Sequence, residues 1–181
     1  MRKLMAALLG LGMSTAALAQ HAHEHGVASL QVAVDGGQLA IELETPLDNL
    51  VGFEHAPGTD AQRQAVRDAE AKLRDFPRLF VLPAAAGCAV QEVELEWPWA
   101  EEDHDHDHKH GHDHEEHHHD EGHSDLHVHY SLACTNPAAL EEVRVKLSEA
   151  FPRMGSVRAQ TATPRGQGSA VLNRAQDKLP L

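Results

Sequence analysis

Sixteen of the 181 residues are histidine, and ten of those fall in one stretch. Residues 101–125 read EEDHDHDHKHGHDHEEHHHDEGHSD and contain His104, His106, His108, His110, His112, His114, His117, His118, His119 and His123. Neutral imidazole is a borderline ligand that suits Zn2+, Cu2+ and Ni2+. Unperturbed histidine titrates at about pH 6.5, so much of the tract is deprotonated at neutral pH. The interleaved aspartates and glutamates offset the charge of an arriving dication. A chain that can rearrange offers several overlapping four-ligand sets. That predicts several bound Zn2+ ions, fast exchange and little geometric selectivity, with Ni2+ and Cu2+ as further ions taken in vitro. The rival reading is a solvated acidic loop with no ligand role.

Two motifs inside the tract are chance matches. His114-Glu115-Glu116-His117-His118 fits H-E-x-x-H, but a zinc protease needs that pair on a helix packed in a core, and no apolar residue flanks it here. Asp103, Asp105 and Asp107 begin a D-x-D-x-D run, but His108 stands where a calcium loop needs its turn glycine and His114 where it needs the bidentate glutamate. No rigid three-ligand constellation with an open position stands out, so an enzyme is not expected. The formal charge is −13, which repels a phosphate backbone and excludes nucleic-acid binding by general electrostatics. The same charge attracts cations.

The elements that must carry these residues read as an α+β fold: a mostly antiparallel sheet of about six or seven short strands with two helices. Leu30, Val32 and Val34 alternate with polar neighbours, as do Leu39, Ile41 and Leu43, and Asp35-Gly36-Gly37 between them is a turn signal. The pair predicts a β-hairpin. Thr59-Asp60-Ala61-Gln62 resembles a capping box, and Ala65, Val66, Ala69 and Leu73 continue it as a helix to about Arg74. Short strands are expected at Leu79 to Leu82, Cys88 to Trp97 and Leu126 to Cys134. Asn136-Pro137 starts a second helix whose stripe is Leu140, Val143, Leu147 and Phe151. Val157 to Thr163 and Ala170 to Leu172 flank a final turn. The tract, with no aliphatic residue, cannot bury enough surface to offset its ordering entropy. It predicts a disordered insertion between two strands of a single domain, residues 20–181.

Residues 1–19 are an export signal. Arg2 and Lys3 precede a short apolar run, and Ala17-Leu18-Ala19 is a cleavage site. The run is shorter than the roughly 20 apolar residues that span a bilayer, so the mature product is not membrane-embedded. Cleavage after Ala19 leaves 162 residues (181 less 19) in a periplasm. In an oxidising compartment the two cysteines, Cys88 and Cys134, read as a disulfide. The alternative is a pair of thiolate metal ligands, without a C-x-x-C spacing to support it.

Pairing Cys88 with Cys134 sets the register of the strands on either side of the tract. Carried on unchanged, it puts Glu92 opposite Tyr130 and Glu94 opposite Val128. One extra residue near Gln91-Glu92, a β-bulge, instead puts Val93 opposite Tyr130 and Leu95 opposite Val128 on the core face. Glu94 then meets His129, and Glu96 meets His127, on the outer face. Opposed Cβ atoms are about 4.5–5.5 Å apart, close enough to share a zinc ion. Glu94, Glu96, His127 and His129 are therefore a candidate fixed site at the root of the tract, or else a ladder of ion pairs without metal.

The stretch His23-Glu24-His25-Gly26, with Leu39 to Pro46 (LAIELETP) and Asn49 to His55 (NLVGFEH), resembles the ZrgA-type periplasmic zinc-uptake proteins. So do Glu94-Leu95-Glu96-Trp97, the histidine tract, the cysteine pair and Pro164-Arg165-Gly166-Gln167. The resemblance spans the mature chain. It implies capture of zinc beside an inner-membrane ABC-type importer, and it brings His23, His25 and His55 forward as ligands alongside His127 and His129. A periplasmic buffer for excess zinc, nickel or copper is the other reading of the same residues.

Deleting Glu101 to Asp125 is expected to remove most of the zinc capacity and leave the melting temperature of the metal-free protein nearly unchanged. A large drop in that temperature would show that the tract supports the core. Capacity in the intact chain should fall between about pH 7 and pH 5, where protons compete for imidazole; zinc binding undiminished at pH 5 would assign the metal to the carboxylates.

Overall fold

A computed structural model of the protein describes residues 24–99 and 124–181. The expected export signal and nearly all of the histidine tract, including its predicted disorder, lie outside the described residues. The tract's last residue, Asp125, already belongs to a strand. The first elements are the expected hairpin, β1 (Val27–Asp35) and β2 (Gln38–Pro46), paired antiparallel from Ser29–Glu44 to Asp35–Gln38. Gly36 turns it at a φ of 55°, left-handed backbone that glycine adopts without steric cost. A short helix, α1 (Leu47–Val51), follows, and then α2 (Asp60–Arg74). The capping box is present: the Thr59 hydroxyl accepts from the Gln62 amide, and the Gln62 side chain accepts from the Thr59 amide.

Phe76 and Pro77 end α2, as their sequence implies, and open a further turn of helix, α3 (Phe76–Leu79), before the two-residue strand β3 (Phe80–Val81). Strands β4 (Cys88–Glu96) and β5 (Asp125–Cys134) enter and leave the tract. The second predicted helix is overturned. After a 3-10 turn at Pro137–Ala139, residues Glu142–Val145 form strand β6, and only Leu147–Ala150 is helical, as α4. The stripe residues Leu140, Val143, Leu147 and Phe151 are all buried, so the burial was legible but the period was not decisive. Val143 and Val145 also alternate, and they find strand partners in β3 and in β9 (Lys178–Pro180). That pairing, tightened by an Arg144–Asp177 ion pair at 3.0 Å, overrides a weak helical preference. The final hairpin is β7 (Ser156–Thr163) and β8 (Gly166–Leu172). With β9, nine strands stand among the described residues where six or seven were expected, and the class remains α+β.

Six strands form one sheet in the order β4-β5-β2-β1-β7-β8, antiparallel throughout except for the parallel β1–β7 pair. The smaller sheet is β3-β6-β9. One face of the large sheet carries the core through Leu30, Ile41, Leu43, Val128, Tyr130 and Val157, and it packs against Leu73, Phe76, Phe80 and Phe151. Tyr130 lies edge-on to Phe76 and Phe80, with ring centroids 5.6 and 5.3 Å away. Its hydroxyl donates to the Leu73 carbonyl at 2.9 Å, the partner a buried phenol requires. Burial pushes the Tyr130 hydroxyl's pKa well above its ordinary value. On the opposite face Gln31, Glu42, Glu94, His127 and Gln160 are exposed, with no helix over them among the described residues. No helix among the described residues is long and apolar enough to cross a membrane.

Asn49, on α1, is buried and fully engaged. Its amide donates to the Val27 carbonyl at 2.9 Å and to the Thr45 hydroxyl at 3.0 Å, and its Oδ1 accepts from the Gly26 amide at 2.7 Å. It ties the start of β1 to the end of β2. Asn49→Ala is expected to cost about 2–3 kcal/mol, because it orphans buried backbone groups, and to raise hydrogen exchange at Gly26. Tyr130→Phe, which leaves one carbonyl without its donor, should cost about 1 kcal/mol. Urea unfolding checks both; equal costs would remove the special place given to Asn49.

Candidate metal sites

The β4–β5 pair has the register read from the sequence. Cys88 stands opposite Cys134, and the two form a disulfide. Val90 faces Leu132, the register shifts at Gln91, and Glu92 faces Ser131. Val93 then faces Tyr130, Leu95 faces Val128, Glu94 faces His129 and Glu96 faces His127. The bulge is what a core of mixed strands needs here. It turns Val93 and Leu95 to the side of the buried Tyr130 and Val128, and Glu94 and Glu96 to the side of His127 and His129.

On the other side of β5, strand β2 adds two residues that the sequence reading did not select. Glu42 is opposite His129, and Glu44 is opposite His127. Each outward histidine therefore lies between two glutamates, in the rows Glu94–His129–Glu42 and Glu96–His127–Glu44. The His129 Nδ1 is 3.9 Å from a Glu42 carboxylate oxygen. The two rows line an open concavity of about 390 Å³ that Ser29 and Gln31 of β1 also border. The signal for Glu42 and Glu44 was the alternation of β2 itself, but only the long-range pairing of β2 with β5 makes it readable as a site.

A second group sits where β1 begins. Gly26, at a φ of 81°, turns the chain into the strand, and its carbonyl accepts from the Gly155 and Ser156 amides. That places His25 beside the loop after α1, where its Nε2 is 2.8 Å from a Glu54 carboxylate oxygen. Glu24 pairs with Arg158 at 2.5 Å. His55 has other contacts. Its Nδ1 donates to the Ala56 carbonyl at 2.9 Å, its Nε2 accepts from Gln62 at 3.4 Å, and its ring stacks on Phe53. One neutral tautomer satisfies both bonds. His23 and the ten tract histidines lie outside the described residues. Among the described residues, no three His, Cys, Asp or Glu side chains are already gathered closely enough to hold a metal ion.

These groups share one end of the large sheet. The antiparallel and parallel pairings bring together the start of β1, the end of β2 and the start of β5. The Leu47 amide donates to the Ser124 carbonyl at 3.0 Å, fastening α1 to the point where the tract re-enters the fold. Trp97 and Trp99 stack at 5.2 Å where the tract departs from β4. The tract, the His25–Glu54 pair and the Glu96–His127–Glu44 row are thus rooted in the same region.

Residues 22–181 match the model of a family described as ZrgA family zinc uptake proteins. No curated protein shows a significant match to the chain. The family match covers nearly the whole chain, including both strands of the outward histidine ladder and the cysteine pair, so the chain belongs to the ZrgA family of zinc uptake proteins.

Proposed function

We propose that the protein works in the periplasm as a zinc carrier, not an enzyme: it captures scarce Zn2+ and passes it to an inner-membrane ABC-type importer. The observation that supports this most is the gathering of the metal-capable groups at one end of the sheet within a chain of a zinc uptake family. Zinc is the cargo. Imidazoles in the tract supply many weak, exchangeable ligand sets, and the sheet supplies side chains in fixed register beneath them. A carrier needs both capture and release, and ligands that exchange among overlapping sets allow fast release. The export signal and the disulfide suit an oxidising compartment outside the cytoplasm.

Two measurements test this. The mature chain should bind several Zn2+ ions in calorimetric titration, and a strain lacking the protein should grow poorly when zinc is chelated. A strain that suffers only under excess zinc, nickel or copper would make the protein a buffer. A mature chain that binds no zinc would end the carrier reading altogether.

A further inference from the structure

We propose that the exposed face of the large sheet holds a Zn2+ site in which the ion sits above β5, bound by His127 and His129 and by one carboxylate from each flanking strand, with Glu42 and Glu44 of β2 completing what β4 and β5 begin. The inference rests on the zinc-carrier reading and adds to it the place of a fixed site and two ligand-bearing residues.

The argument starts from register. Strands in a sheet lie about 4.8 Å apart, and residues two apart on one strand are separated by about 6.8 Å. His127 and His129 therefore flank a gap that two imidazoles can close from opposite sides, since zinc bonds to nitrogen and carboxylate oxygen at about 2.0–2.2 Å. Glu94 and Glu96 border the gap on one side, and Glu42 and Glu44 border it on the other. Two nitrogens and two oxygens make a four-coordinate set of the kind zinc accepts. A site from β4 and β5 alone would draw both carboxylates from one side of the ion. The carboxylates of β2 let the set close around it.

Charge gives the second, independent reason. Four carboxylates surround two imidazoles, and among the described residues no lysine or arginine forms an ion pair with any of the four; the ion-pair contact is His129 to Glu42. Across the next strand the rows continue with Ser29 and Gln31, which are neutral. The first basic residue along either row is Arg158 on β7, and it is held by Glu24. Arg74, at the edge of β4, is held by Glu70 and the Val93 carbonyl. Like charges crowded on one sheet face destabilise it, and a divalent cation removes that repulsion. Among the described residues these side chains are not gathered around one point. Glutamate rotamers at an exposed surface close the set without moving the backbone.

The test uses the full mature chain, labelled with 15N and titrated with ZnCl2 while amide signals of residues 42, 44, 94, 96, 127 and 129 are followed. These signals should respond together, within the first equivalents. Glu42→Gln with Glu44→Gln should weaken that response by about tenfold or more, since losing even an outer carboxylate partner of a metal-bound imidazole costs that much. Glu141→Gln with Glu149→Gln removes the same two charges elsewhere and should leave it unchanged. His127→Ala with His129→Ala should abolish it while total zinc capacity stays near that of the parent. An unchanged response in the Glu42/Glu44 variant overturns the role of β2, as does equal weakening in the charge control. Zinc uptake with no response at these six positions overturns the site and leaves the carrier reading standing. A chain that takes up no zinc at all defeats the carrier reading as well.

Discussion

The register of β4 against β5 is the constraint on which the rest depends. Side chains alternate with a period of two, so a slip of one residue exchanges the two faces of a strand. With Cys88 opposite Cys134 and no bulge, Glu94 would be set against Val128, on the face that packs against Phe76 and Phe80. Gln91 absorbs one residue, and everything C-terminal to it turns over. Val93 and Leu95 then join the core side, while Glu94 and Glu96 go outward with His127 and His129. On the facing strand, the Tyr130 hydroxyl donates to the Leu73 carbonyl and joins α2 to the sheet. A single inserted residue thus sets both the core side of β4 and the row of carboxylates beside His127 and His129, and bulges are common beside functional sites.

The disulfide and the bulge divide the work along that strand pair. The cysteine bridge pins the end of the β4–β5 ladder remote from the tract. In the chain-entropy model, closing a loop of 46 residues contributes roughly 4 kcal/mol by limiting the unfolded chain. The other end, where the tract leaves and returns, has no covalent tie. There the Leu47–Ser124 backbone bond and the Asn49 contacts to Gly26, Val27 and Thr45 hold β1, β2 and β5 together. Buried polar bonds of this kind add little net stability when made and cost much when one partner is lost. Their value is positional: they fix where His25 and His127 begin.

Local signals were legible in the sequence, and so was one long-range feature. The Asp35-Gly36-Gly37 hairpin and the Thr59–Gln62 capping box are each written within a few residues. The β4–β5 register was readable because two cysteines flank the tract and the apolar pattern demands a bulge. Strand β6 was misread because Leu140, Val143, Leu147 and Phe151 fit a helical stripe, whereas its actual partners, Phe80 and Leu179, lie far away in sequence. Glu42 and Glu44 were missed for the same reason. Their alternation was visible, but the sheet order that sets β2 against β5 instead of at an edge is a non-local fact. His25 was picked out by its motif, and Glu54 as its partner emerges only once α1 turns the chain back.

The composition of the two histidine-bearing regions bears on the proposed carrier function. In the tract's sequence, carboxylates alternate with imidazoles, the pattern from which several overlapping ligand sets are expected. On the sheet, the same two residue types are arranged across strands, and backbone hydrogen bonds set the spacing of their Cα atoms. The first arrangement favours rapid encounter with a cation drawn in by the excess of acids. The second fixes the backbone spacing of the ligand-bearing residues, so less of the chain must be ordered when an ion binds. In the proposed carrier, the tract joins the chain between β4 and β5, the two strands that bear Glu94, Glu96, His127 and His129, which is the placement that ligand exchange between the two sets would require.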